Sequence, residues 1–206
     1  MTNNNSTKER IKFCFNKAAD TYDQACAIQV QTGIELINLL QHNKHSYPKI
    51  IDLGCGTGLI TKKLADTIQN DEFHAIDFAS KLLGIAKSRL LNHKIDLYEA
   101  DYDSLDVSSN SFDLAFSNMT LQWSLDLSNT LIATKNLLNP NGTLAFSIPI
   151  EGSLLELEKE SSNQFHTINF ITDSLREHGF TTIKCSTKKY SAHFPNIFEA
   201  LKSIKK

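Results

Sequence analysis

Residues 50–58 read Ile-Ile-Asp-Leu-Gly-Cys-Gly-Thr-Gly, an apolar run that meets a glycine-rich turn. A helical pattern starts directly after it: Ile60, Leu64 and Ile68 recur every four residues, with Lys62 and Lys63 between them. Strand, glycine turn and helix in this order is how an open α/β sheet brings its backbone close to a nucleotide-like ligand. Glycine is needed there because a Cβ would block both positive φ and close approach. The glycines stand at 54, 56 and 58, whereas the third glycine of the dinucleotide fingerprint would fall at Leu59. Asp52, just before the turn, is a second departure. An acid there repels a pyrophosphate and suits a ligand that carries positive charge.

The rest of the chain supports an α/β reading. Residues 8–41 carry helical apolar spacing at Ile11, Phe15, Ala18, Ile34, Ile37 and Leu40, and Gln41 to Pro48 form a polar connector. Strands are predicted at 49–53, 73–77, 94–100, 112–117 and 143–149, with a sixth over Thr181 to Tyr190. Helices are predicted after the glycine turn, from a Ser80 cap, over 126–138 up to Asn139-Pro140-Asn141-Gly142, and over 167–178 with a stop at Gly179. Strands alternating with helices imply a mainly parallel central sheet flanked by helices, joined by right-handed crossovers.

The 206 residues suit one domain, and a hydrophobic content of 41% excludes wholesale disorder. No repeat or linker divides the chain. It reads as a helical cap and connector (1–48), a ligand-binding core (49–149) and a substrate-side and C-terminal part (150–206). No apolar run is long enough for a membrane span, the polar start Met1 to Arg10 lacks the apolar core of a secretory signal, and Cys14, Cys26, Cys55 and Cys185 show no paired spacing. These features point to a cytoplasmic protein with free thiols. His42 and His45 lie in a polar stretch without cysteines, so no metal site is expected. The net charge is −2, yet residues 176–206 carry seven lysines and arginines against Glu177 and Glu199. Aromatic residues do not interleave with these cations, which argues against nucleic acid.

Asp52-Leu53-Gly54-Cys55-Gly56-Thr57-Gly58 resembles the first motif of class I S-adenosylmethionine-dependent methyltransferases. The resemblance implies a Rossmann-like sheet with S-adenosyl-L-methionine laid over the carboxyl ends of its first strands. Gly54, Gly56 and Gly58 would face the methionine part and ribose of the cofactor, and Asp52 would lie near its amino end. Asp77, at the end of the second strand, matches the acid that accepts both ribose hydroxyls. Asp101, ending the third, matches the acid that reaches the adenine amino group, with Tyr102 bordering the base. Ser111-Phe112-Asp113-Leu114 resembles the fourth-strand motif, which places Asn118 over the cofactor.

A narrower resemblance rests on three further runs. Ala18-Ala19-Asp20-Thr21-Tyr22-Asp23, Leu121-Gln122-Trp123 and Gly152-Ser153-Leu154-Leu155-Glu156-Leu157 are together similar to malonyl-[acyl-carrier protein] O-methyltransferases, and the likeness runs on through Ile168-Asn169-Phe170 to Leu201-Lys202-Ser203-Ile204. It implies methyl transfer to the free carboxylate of a malonyl group on acyl carrier protein, an early step of biotin synthesis. A carboxylate is ionised at neutral pH, so no general base is required. Tyr22 and Trp123 are the candidates to enclose the transfer site, with Tyr22 also a cofactor contact. Carrier protein is acidic as a class, which gives the basic segment 176–206 a partner. Members of the family continue past the point where this chain ends in Ile204-Lys205-Lys206. The expectation is that the final antiparallel strand is missing, leaving strand five with an open edge. An O-methyltransferase for a small dicarboxylic acid and a catalytically silent cofactor-binding protein remain the alternatives.

Overall fold

The computed structural model describes residues 2–105, 111–153 and 165–191. Leu154 to Leu157 and Leu201 to Ile204, two of the runs that carry the family resemblance, lie outside them.

Five strands form the sheet: β1 (Lys49–Leu53), β2 (Glu72–Asp77), β3 (Asp96–Glu99), β4 (Phe112–Asn118) and β5 (Leu138–Ser147). All pairings are parallel, in the order β3-β2-β1-β4-β5. The order reverses at β1, which lies between β2 and β4. That reversal opens a crevice at the carboxyl ends of the strands, where α/β sheets take their ligands.

The strands read as apolar runs because both faces are covered. Along β1 the side chains alternate. Ile50 packs with Ile37 and Leu40 of α2 (Ala27–Asn43) and Leu64 of α3 (Leu59–Thr67). Ile51 and Leu53 pack with Leu127, Leu131 and Leu137 of α5 (Leu127–Leu137) and Ile171 and Leu175 of α6 (Ile168–Glu177). α4 (Ser80–Arg89) sets Leu82 against Ala19, Phe15 and Tyr22, which joins the N-terminal helices to the body.

Three sequence expectations change. The helical stretch over 8–41 is two helices, α1 (Thr2–Ala18) and α2, separated by a 3-10 segment, Ala19–Ala25. Ser80 is the first residue of α4 and not its cap. The Ala79 N–H goes to Asp77 Oδ1 and the Lys81 N–H to Asn16 Oδ1, so the capping comes from β2 and α1. Thr181 to Tyr190 forms no strand. No described strand lies beyond β5 to receive it. Lys184 donates to Asn43 Oδ1, and Lys188 and Tyr190 both reach Glu35, so the segment runs antiparallel along α2. Its expected partner on the sheet is replaced by a helix surface.

The stop at Gly179 holds, whereas the turn expected at Asn139 to Gly142 lies within β5, which begins at Leu138 and not at Thr143. Asn139 to Gly142 forms a bulge in β5, where the register with β4 shifts between Phe112 and Leu114 and Asn141 takes φ 65°. α6 is capped by Thr167 and ends in a Schellman motif, with Phe180 N donating to Leu175 O and Gly179 N to Arg176 O.

Candidate active site

β1 delivers the chain into a turn that wraps the end of β2. Gly54 N and Cys55 N both donate to Ile76 O at 2.9 Å. Gly54 has φ +81° and lies so close to Thr120 that a Cβ would stand 2.1 Å from its Cγ2. Gly56 has φ +58°, and a Cβ there would meet nothing within 4 Å. The first glycine is therefore required by packing, the second by its positive φ, at a point where the backbone faces open space. Gly58 precedes α3, against Ala86 of α4. Around the turn lies a cleft of about 460 Å³, mouth included, whose walls include Tyr22, Gln29, Asp52, Gly54, Gly56, Asn118 and Thr120.

Asp52 forms part of that wall and is 2% exposed. Burial pushes its pKa up to about 7 against the pull of the Thr61 hydroxyl, which donates to Oδ2 at 2.7 Å, and the nearby Asp77 charge adds to the rise. A buried acid with one hydroxyl donor and no cation partner among its described contacts is set up to gain from a positive ligand. Asp77 ends β2. Its Oδ2 accepts from Gly56 N at 2.9 Å and its Oδ1 from Ala79 N at 2.8 Å, so it organises the turn. Burial raises its pKa to about 6 in spite of these backbone donors.

Asp101 follows β3 and caps the 3-10 turn Tyr102–Ser104 through Asp103 N. Lys8 of α1 sits between Asp101 (3.0 Å) and Asp103 (2.8 Å), over the Tyr102 ring. Burial disfavours the Asp103 carboxylate, but Lys8, the Thr130 hydroxyl and the Leu125 amide outweigh it and hold its pKa below the ordinary range. Tyr102, expected to border the base, packs into the core with its hydroxyl on Thr120 O at 3.0 Å.

Asn118 is a knot between three elements. Its Oδ1 accepts from Thr32 (3.0 Å) and Ser147 (2.7 Å), and its Nδ2 donates to Gln29 O (2.8 Å). Asp113, from the fourth-strand motif, lies away from the crevice and ties Lys49 N to Asn139. Tyr22 and Trp123 both contact Phe15, whose ring is 6.2 Å from the tyrosine and 5.6 Å, edge-on, from the tryptophan; Tyr22 lines the cleft and Trp123 is not among its described lining residues. Desolvation raises the Tyr22 pKa well above its usual value, so the phenol stays protonated at neutral pH.

The sequence names the carboxylates and glycines, but gives no sign of Thr61, Lys8 and Arg89 and no role for Gln29 and Asp23. Thr61 lies nine residues from Asp52, with α3 returning it to the strand. Lys8 and Arg89 reach the site from other elements, which no local spacing reveals. Asp23 was visible only as part of the Thr21-Tyr22-Asp23 run.

With this geometry, the likeness to known proteins is specific. The methyltransferase domain family matches residues 50–142. A Haloferax volcanii methyltransferase solved with a methyltransferase activator has a TM-score of 0.71 at 18% identity, covering 80% of this chain and 75% of that one. A SAM-dependent methyltransferase of Thermotoga maritima gives 0.64 at 19%, over 81% and 80%. At such identities the likeness is one of fold, and the fold is that of class I S-adenosylmethionine-dependent methyltransferases. Sequence relatives narrow the class. Malonyl-[acyl-carrier protein] O-methyltransferase 2 of Coxiella burnetii is 38% identical over 98% of this chain and 81% of its own length. The malonyl-[acyl-carrier protein] O-methyltransferase of Methylococcus capsulatus is 30% identical over 96% and 75%. The chain belongs to the malonyl-[acyl-carrier protein] O-methyltransferase family.

Proposed function

We propose that this chain binds S-adenosyl-L-methionine across the carboxyl ends of β1 to β3 and methylates the free carboxylate of a malonyl group on acyl carrier protein, an early step of biotin synthesis. The observation that carries the substrate is the 38% identity, over nearly the whole chain, to a relative of that name. Two features of the site suit the cofactor: Gly56 opens onto free space, and Asp52 is a buried acid short of a cation.

In this reading Asp52 faces the cofactor's positively charged end and Gly54, Gly56 and Gly58 allow its close approach. Asp77 retains lone pairs for the ribose hydroxyls while holding Gly56 N. Asp101 takes the adenine amino group with Lys8 fixing its carboxylate, and Asn118 keeps the floor rigid. The cofactor supplies a methyl group already activated on a sulfonium. The protein's task is then to place a carboxylate in line with it and keep water out. Among the described residues no lysine or arginine lines the cleft. Tyr22, on the cleft wall, and Trp123, packed on Phe15 outside the described lining, enclose the acceptor side and suit the uncharged ester product. The carrier protein partner is read from the relatives' names.

The test is methyl transfer from labelled cofactor, with malonyl-carrier protein, malonyl-CoA and free dicarboxylates offered in parallel. The carrier protein ester should form fastest. Transfer only to free dicarboxylates would make the chain a small-molecule enzyme. No transfer, with normal cofactor binding, would make it a silent binding protein.

A further inference from the structure

Asp23, Arg89 and the Thr57 side chain have no part in the function above, yet they form a closed ring against the glycine turn. Asp23 Oδ1 accepts from Thr57 Oγ1 at 2.7 Å, and its Oδ2 accepts from Arg89 Nη2. Arg89 Nη1 donates to Thr57 O at 2.7 Å. The three residues come from three elements. Asp23 lies in the 3-10 segment Ala19–Ala25, Thr57 between the second and third glycines of the turn, and Arg89 at the last position of α4.

A 3-10 run of seven residues is longer than its strained hydrogen bonds usually sustain, and this one has no side-chain N-cap. It needs fastening from outside. A guanidinium that holds a carboxylate with one arm and a backbone carbonyl with the other is a directional, charge-assisted fastener. Tyr22, the residue before Asp23, lines the same cleft as Gly54 and Gly56. The ring therefore sets the wall on the acceptor side by reference to the turn on the cofactor side.

We infer that Asp23 is a positioning residue for methyl transfer: with Thr57 and Arg89 it latches the Tyr22 segment to the glycine turn. This rests on the function proposed above. Asp23→Ala should lower kcat for malonyl-carrier protein by roughly ten- to hundredfold, the scale of a small misplacement at a reacting centre, with a smaller change in cofactor affinity. Because Asp23 acts through Tyr22, that loss should nearly vanish when Asp23→Ala is added to Tyr22→Ala.

A second readout needs no substrate. Trp123 is the only tryptophan of the chain, and the Phe15 ring contacts both it and Tyr22. Releasing the segment should shift Trp123 emission to the red and raise its quenching by acrylamide in the ligand-free protein. Where Asp23→Ala does not fold, Thr57→Val removes one arm of the ring and takes the same measurements. Multiplicative kinetic losses in the double variant, or unchanged Trp123 emission in Asp23→Ala or Thr57→Val, would overturn the latch. Failure of every acceptor in wild-type protein would remove the functional reading alone, since the emission test still judges the latch.

Discussion

Two buried carboxylates set the chemistry of the cleft, and each makes a testable demand. Asp52 has a pKa of about 7 in the ligand-free protein. A cation bound beside it favours the ionised form. Below pH 7 binding must first expel a proton, so S-adenosylmethionine affinity should fall toward low pH, by up to about tenfold per pH unit. Calorimetry at pH 6 and pH 8 measures this, and a flat profile would remove Asp52 from the cation's surroundings. Asp77 holds the turn through Gly56 N and, in the proposed function, also accepts the ribose hydroxyls. Asp77→Ala should cost about 1.5–3 kcal/mol of binding free energy, roughly ten- to hundredfold in affinity, for the lost charge-assisted bonds. Gly56→Val should be worse, because its side chain would fill the space in front of the turn and force φ +58° on a β-branched residue. Normal cofactor binding by both variants would mean the site lies elsewhere. These positions were legible in the sequence because glycine spacing and strand-end acids are local signals. The depth of the Tyr102 ring was not legible, because nothing local separates a ring packed in the core from one on a cleft wall.

At the scale of elements, β1 to β5 and α3 to α6 follow from period and turn chemistry, with boundaries a few residues off. The errors come from tertiary partners. The break at 19–25 is imposed by docking on α4 and the glycine turn, and no proline or glycine marks it. The sixth strand failed because alternation gives a segment the capacity to pair but not a neighbour. Instead, Lys188 and Tyr190 hold Glu35 on α2, and the Lys188 hydrogen bond, then that of Tyr190, lowers the glutamate's pKa. Glu35→Ala should release residues 184–190 and speed their amide hydrogen exchange, leaving exchange in β1 and β4 unchanged. Equal protection of the segment in both proteins would show that it is held by other means. This pairing also redistributes the basic surface. Lys188 is engaged with Glu35 and Lys184 with Asn43, so Lys189 is the better candidate to meet an acidic carrier protein. Lys189→Glu should slow that association at low salt and lose its effect at high salt.

For the molecule as a whole, ligand and pH act on the same two acids. Asp52 and Asp77 have folded pKa values raised above the ordinary range by burial. Their favourable contribution to the ligand-free fold is complete below about pH 4 and is lost as pH rises through about 6 and 7. A bound cation reverses the effect at Asp52 by favouring the charge that burial opposes. Cofactor at a hundred times its Kd stabilises the native state by about 2.7 kcal/mol. For a domain of this size that raises Tm by roughly 5–10 °C. At the same cofactor concentration the gain should be clearly smaller at pH 6 than at pH 8, because affinity falls as Asp52 takes up its proton. β5 adds a second term. It is the outer strand of the described sheet, and the segment expected beyond it lies on α2. An outer strand with unpaired backbone groups is a template for a second copy. Light scattering should therefore show self-association that grows with concentration, and the thermal midpoint should depend on concentration with it. Equal cofactor gains at both pH values would separate Asp52 from the bound cation. A monomer at all concentrations, with a concentration-independent Tm, would show that the outer edge of β5 is covered.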